Sequence, residues 1–205
     1  LEGVAAVQKK TYSAGAVKFS FWFMEFRKAV ELLHAGRSMK EIRELSEKQN
    51  IFGARTKSRA HTICSTVLSR IRALPPSFYP LFMESDVTTQ KLFALSAAMA
   101  SDTLFFEFMY EVIREKMLIG SNEYSDSDVR IFFHNKQTQS GKVASWTEET
   151  LQRLGRTYKS MLFEAGITDK GMDVRKIKCP VMDPELLRWL TENDMMPIAH
   201  ALAGV

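Results

Sequence analysis

Between residues 55 and 72 the chain carries five cationic side chains and no carboxylate: Arg55, Lys57, Arg59, Arg70 and Arg72. Such groups donate charge-assisted hydrogen bonds to phosphate oxygens, and the arginine fork also matches the acceptor edge of guanine. The hydroxyl-bearing and small neighbours Thr56, Ser58, Ala60 and Thr62 would let a helix backbone come close to bases. A second set, Lys136, Lys142, Arg153, Arg156 and Lys159, lies further along. Its chemistry is the same but weaker, because Glu148 and Glu149 begin the helix that carries three of its members and would repel phosphate. What both sets can do is hold a polyanion.

The net charge of +4 proves little, but its distribution is informative. Residues 36–72 hold nine Lys/Arg against three Asp/Glu, and residues 130–178 hold ten against five. Between them, residues 84–128 hold three against nine. Two basic blocks flanking an acidic one suit a polyanionic partner better than uniform basicity would.

Catalytic constellations are absent from the sequence. There is no P-loop, GxSxG elbow, HExxH or CxxC pair. His61 and Cys64 are spaced for two zinc ligands on one helix face, but a zinc site needs three or four. Glu107, Glu111 and Glu115 recur every four residues and read as an exposed acidic stripe rather than acid–base machinery. The chain is therefore expected not to be an enzyme, and to need no metal, cofactor or small-molecule substrate.

The elements that must position these residues are helices. Val17 to Leu33 approximates a 3.6-residue apolar period and ends at Gly36. Ser38 and Glu41 have capping-box spacing ahead of a helix to Gln49. Asn50-Ile51-Phe52-Gly53 interrupts the pattern. A helix from about Arg55 to Leu74 follows, with Ile63, Val67, Ile71 and Leu74 along one side, and Pro75-Pro76 stops it. Further helices are expected over 77–85, 88–100 and 102–119, and from Ser125 through Asn135. A short one runs from Lys142 to Trp146, and a long one from Thr147 to Ala165 ends at Gly166. Residues 173–178 alternate and allow a short β-ribbon, and Pro184 opens a last helix to Thr191. Helix, turn and basic helix over 38–74 is the outline of a helix-turn-helix. Residues 125–165 offer a second such unit, with the ribbon as a wing. The expected fold class is thus all-α, a globular multi-helix fold with two helix-turn-helix-like units. Pro75-Pro76 is the expected boundary between an N-terminal half (12–75) and a C-terminal half (76–205), with 1–11 as a leader or tag.

A chain of 205 residues, 45% hydrophobic and 25% charged, can bury its own core. Only 10 Gly and 6 Pro argue against a turn-rich β-sandwich. No uncharged apolar run reaches the roughly 18–20 residues that span a bilayer. Two cysteines are too few for a disulfide framework, which makes a reducing cytoplasm the expected compartment.

Several stretches carry a family resemblance: Tyr12-Ser13-Ala14-Gly15, Phe26-Arg27-Lys28, Asn50-Ile51-Phe52-Gly53, the Phe/Tyr/Glu run from Leu104 to Val112, Asp126 to Phe133, and Glu164-Ala165-Gly166. Together they resemble BrxA, a family of small core proteins of bacteriophage-exclusion (BREX) defence systems, from about Tyr12 almost to the C-terminus. The resemblance implies an all-α protein with two helix-turn-helix motifs bordered by positive surface. It further implies that the protein binds double-stranded DNA, has other BREX proteins as partners, and is neither the methyltransferase nor the ATPase of its system. Two other readings fit the same residues: an adaptor that docks a defence protein on the acidic 102–115 face, and an RNA-binding helical protein.

Overall fold

The computed structural model describes residues 11–205. The leader reading of 1–11 therefore lies, except for Thr11, outside the described residues. The helix expected from Val17 does not begin there. A 3-10 turn, Gly15–Lys18, is followed by extended chain and by Trp22 in the left-handed region at φ 52°, and only then does α1 (Phe23–His34) start. The left-handed residue ends any continuous 3.6-residue winding through 17–22.

Local signals set the next elements. Ser38 Oγ accepts from the Glu41 amide at 3.2 Å while Glu41 accepts from the Ser38 amide at 2.8 Å, which closes the capping box at the start of α2 (Met39–Gln49). Thr56 caps α3 (Lys57–Arg72), whose buried side carries Ile63, Val67, Leu68 and Ile71. After Pro75-Pro76 come α4 (Phe78–Glu84) and α5 (Val87–Ser101), the latter buried nearly all round. Asp102 then accepts from the Leu104 and Phe105 amides, and the chain bends by 115° into α6 (Thr103–Phe108). The single helix expected over 102–119 is interrupted: α6 passes through a π-helical turn, Met109–Ile113, into α7 (Arg114–Leu118). Among the described residues, no single helix is long and apolar enough to cross a membrane.

The C-terminal part opens with β1 (Glu123–Ser125) and a second capping box, Ser125 with Asp128, at the start of α8 (Asp126–Gln139). Then follow α9 (Gly141–Ala144) and α10 (Glu148–Ala165), the latter capped by Thr147 and ended by Gly166 at φ 85°. β2 (Val174–Lys176) pairs antiparallel with β1, with Tyr124 opposite Arg175. The expected ribbon is thus present, but its partner strand lies about fifty residues earlier in the chain. α11 (Pro184–Glu192) and α12 (Met196–Ala203) complete the fold, in which, among the described residues, helices are joined only by that two-stranded sheet and a single Thr168–Ile177 bridge.

Two aromatic groups organise the core. Phe26, Phe78, Phe82, Phe93 and Trp189 join α1, α4, α5 and α11, with neighbouring ring centroids 5.7–6.2 Å apart. Phe105, Phe108, Phe132, Phe133 and Tyr158 join α6, α8 and α10. Helices α8 and α10 cross at Gly155, where an added Cβ would stand 2.9 Å from Val129 Cγ1. The missing side chain leaves room for the Val129 and Phe133 side chains against α10.

Candidate nucleic-acid interface

The first basic set is presented by α2, a tight turn and α3. Asn50 (φ 49°) and Gly53 (φ 63°) make that turn, and the Asn50 side chain bonds both the amide and the carbonyl of Ala54 at 2.9 and 2.8 Å. The chain then reaches Thr56, which accepts from the Arg59 amide at 3.1 Å. Arg55, Lys57 and Arg59 consequently sit exposed where α3 begins. Arg59 is steadied there: its guanidinium lies 4.8 Å over the Trp22 ring and donates to the Lys18 carbonyl at 3.2 Å. Arg72 is exposed at the far end of the helix, against the Met39 sulfur.

Arg70 is placed differently. It is 5% exposed and donates from one terminal nitrogen to the Ser20 and Phe21 carbonyls at 2.9 and 2.7 Å. Burial pulls its pKa down to about 10, against the opposing effect of Asp102 and Glu164, so it remains a cation at neutral pH. It ties the N-terminal segment to α3 and has no outer surface to offer a phosphate.

The second set also divides. Lys142, Arg153 and Arg156 are exposed. Lys136 is 2% exposed, its ammonium 2.7 Å from Glu107 and 2.6 Å from Glu111. Tyr12 donates to the same Glu107 carboxylate at 2.7 Å. Lys136 therefore faces inward, and the acidic stripe is not the open face expected from its spacing. Glu107 is buried and paired, Glu111 holds the lysine, and Glu115 is exposed beside Arg114 at 2.8 Å. Lys159 is half-withdrawn, 2.8 Å from Asp126, which Arg175 also reaches at 3.1 Å. The structure adds two groups that the charge reading left out. Arg130 and His134, exposed one turn apart on α8, line a groove against α10 together with Arg156 and Lys159. Their i, i+4 spacing directly beside the buried Val129–Phe133 pair was the signal. His61 is exposed while Cys64 is buried, so those two do not converge on one ion.

The start of α8 is held electrostatically. Burial alone would raise the Asp126 carboxyl, but the hydrogen bond and charge of Lys159, then Arg175, hold it below the ordinary aspartate range. Asp128 is likewise lowered against burial by Lys116, 2.8 Å away, and by Ser125. Above the unfolded aspartate pKa of about 4 this stabilisation is complete, and it is lost as pH falls through the lowered folded values. Acidification below about pH 4 is therefore expected to lower the urea midpoint of the native protein more steeply than that of Asp126→Asn. Parallel acid limbs for the two would show that the Lys159–Asp126–Arg175 cluster is screened by solvent.

This architecture has relatives. A solved structure described as that of an uncharacterized protein from Magnetospirillum magneticum superimposes with a TM-score of 0.81, covering 96% of this chain and all of that one. At 18% identity that likeness speaks for the fold alone. The BREX protein BrxA of Bacillus cereus (strain H3081.97) is 35% identical over 184 residues, 90% of this chain and 92% of its own length. The BrxA family model matches residues 10–194. With the family pattern running through both basic units, the ribbon and the buried Lys136 cluster, the chain belongs to the BrxA family.

Proposed function

We propose that this protein is a non-enzymatic, double-stranded DNA-binding accessory component of a BREX-type phage-defence system, acting in the cytoplasm beside other BREX proteins. The observation that carries the DNA reading is the exposed, acid-free start of α3, where Arg55, Lys57 and Arg59 follow a hydrogen-bonded turn and a Thr56 cap. In this reading α2 and α3 form a helix-turn-helix within residues 12–75, with the first turns of α3 toward the duplex. The α8–α9–α10 unit within residues 76–205 forms the second, with the β1–β2 ribbon as its wing. Lys142, Arg153 and Arg156 bind phosphate there, and Arg130 and His134 extend that surface. Recognition mainly through phosphate makes binding salt-sensitive and weakly selective for sequence.

The test is fluorescence anisotropy with a labelled duplex over a range of salt concentrations. Arg55→Ala/Lys57→Ala/Arg59→Ala is expected to bind roughly tenfold or more weakly, and the log–log salt slope to flatten by about 1 for each phosphate that the variant no longer neutralises. A folded triple variant with unchanged affinity and slope removes α3 from the interface. Equal or tighter binding of duplex RNA overturns the preference for DNA.

A further inference from the structure

The chain from Lys18 to Trp22 runs along α3 and is fastened to it by two arginines about three helical turns apart. Buried Arg70 holds the Ser20 and Phe21 carbonyls, and exposed Arg59 reaches the Lys18 carbonyl. Between these ties stands Trp22, at φ 52° and ψ 46°. A bulky L-residue seldom adopts that left-handed conformation, and it persists only where the surroundings over-determine it. Trp22 is 8% exposed, its ring lies 6.1 Å from that of Phe19, and its carbonyl accepts the Phe26 amide of α1 at 2.9 Å. The indole is thus held in place, and the Arg59 guanidinium lies 4.8 Å over it.

Such a floor changes what the arginine can do. A free guanidinium on a long stem loses rotamer freedom when a ligand orders it, whereas one already stacked on a ring loses less. The indole covers one face of the guanidinium plane, and the Lys18 carbonyl takes one N–H of the five in the fork. The remaining donors lie in the plane, along its edge. That edge matches a pair of acceptors, either two oxygens of one phosphate or O6 and N7 of guanine. Arg55 and Lys57 are exposed without a comparable brace among the described residues. We propose that Trp22 is a positioning residue for duplex binding: it holds Arg59 in one pose, so that Arg59 engages a paired acceptor on DNA while Arg55 and Lys57 supply unoriented charge. This proposal rests on the reading of α3 as a duplex-binding helix.

The experiment measures duplex affinity by anisotropy over a range of salt for Arg59→Lys, Trp22→Leu, Trp22→Tyr and the Trp22→Leu/Arg59→Lys double variant. Arg59→Lys keeps the charge at an exposed position but lacks the planar fork. It should bind roughly fivefold more weakly with an unchanged salt slope. Trp22→Leu should match that loss, Trp22→Tyr should restore most of the native affinity, and the double variant should bind no more weakly than either single one. A loss equal on a G·C-containing and an A·T-only duplex assigns the acceptors to phosphate, and a loss confined to the former assigns them to guanine. If Trp22→Leu does not fold, NMR of the unbound native protein decides the pose, since the ring current of a stacked indole moves the Arg59 side-chain protons upfield. Native affinity of Arg59→Lys, additive losses in the double variant, or unshifted Arg59 protons overturn the proposal and leave the DNA reading standing. Failure of the native protein to bind any duplex ends both.

Discussion

Lys136→Met is expected to cost about 3–5 kcal/mol of stability, because it removes the cation from a buried pair and leaves the carboxylate behind. Glu107 is 7% exposed, and with the lysine gone its nearest described donor is the Tyr12 hydroxyl. The partner at Glu111 contributes less, since that side chain is 45% exposed and solvent already screens it. The methionine keeps most of the lysine's apolar stem, so the loss reports the charge rather than a cavity. Urea unfolding of Lys136→Met, Glu107→Gln and the double variant forms the cycle that isolates the interaction. The double variant should regain most of the stability lost by Lys136→Met, a neutral amide being far easier to bury than a lone carboxylate. A Lys136→Met midpoint indistinguishable from the native one would mean that water reaches Glu107.

Phe105→Ala is expected to cost a similar amount, about 3–5 kcal/mol, through the cavity it leaves. The run Phe105-Phe106-Glu107-Phe108 invites comparison with the aromatic platforms on which single strands stack. Here every member is buried, and the Phe105 ring lies 4.9 Å from that of Tyr158, the Phe108 ring 5.4 Å from it. The fraction of Phe105→Ala that remains folded should keep its duplex affinity. Native stability combined with abolished nucleic-acid binding would show instead that these rings serve a ligand.

Elements governed by neighbours in sequence were legible beforehand. Ser38 with Glu41, Ser125 with Asp128, and Thr147 with Gly166 each start or stop a helix through interactions within a turn. What depended on distant partners was not. β1 could not be read from Glu123-Tyr124-Ser125, since its ladder partner arrives only at residue 174. Nor could the π-helical turn at 109–113, which widens a segment whose apolar pattern reads as ordinary helix. The family resemblance supplied a functional context that no spacing contains. Charge counting misplaced Arg70 and Lys136 because it is blind to facing, although the pattern held the correction. Arg70 falls three residues after Val67 and seven after Ile63; Lys136 falls three after Phe133 and seven after Val129. A cation in the apolar stripe of its own helix is a core residue with a partner to be found.

The β1–β2 ribbon also bears on how the chain could be altered. Glu123 and Lys176 are ladder partners, so the chain enters and leaves the α8–α10 excursion at neighbouring points. Amides and carbonyls just outside and inside the strands extend the clasp, Ile177 to Asn122 at 2.7 Å and Asp126 to Asp173 at 3.0 Å. A segment gathered at its base in this way can change the length of its exposed turn without moving the points where the chain leaves and re-enters. That freedom is confined to the exposed turn between α8 and α9, because α8 and α10 themselves pack on α6 through Lys136 with Glu107 and Tyr158 with Phe105. The ribbon thus closes the second basic unit at its base, whereas the first is tied to the N-terminal segment through Arg70.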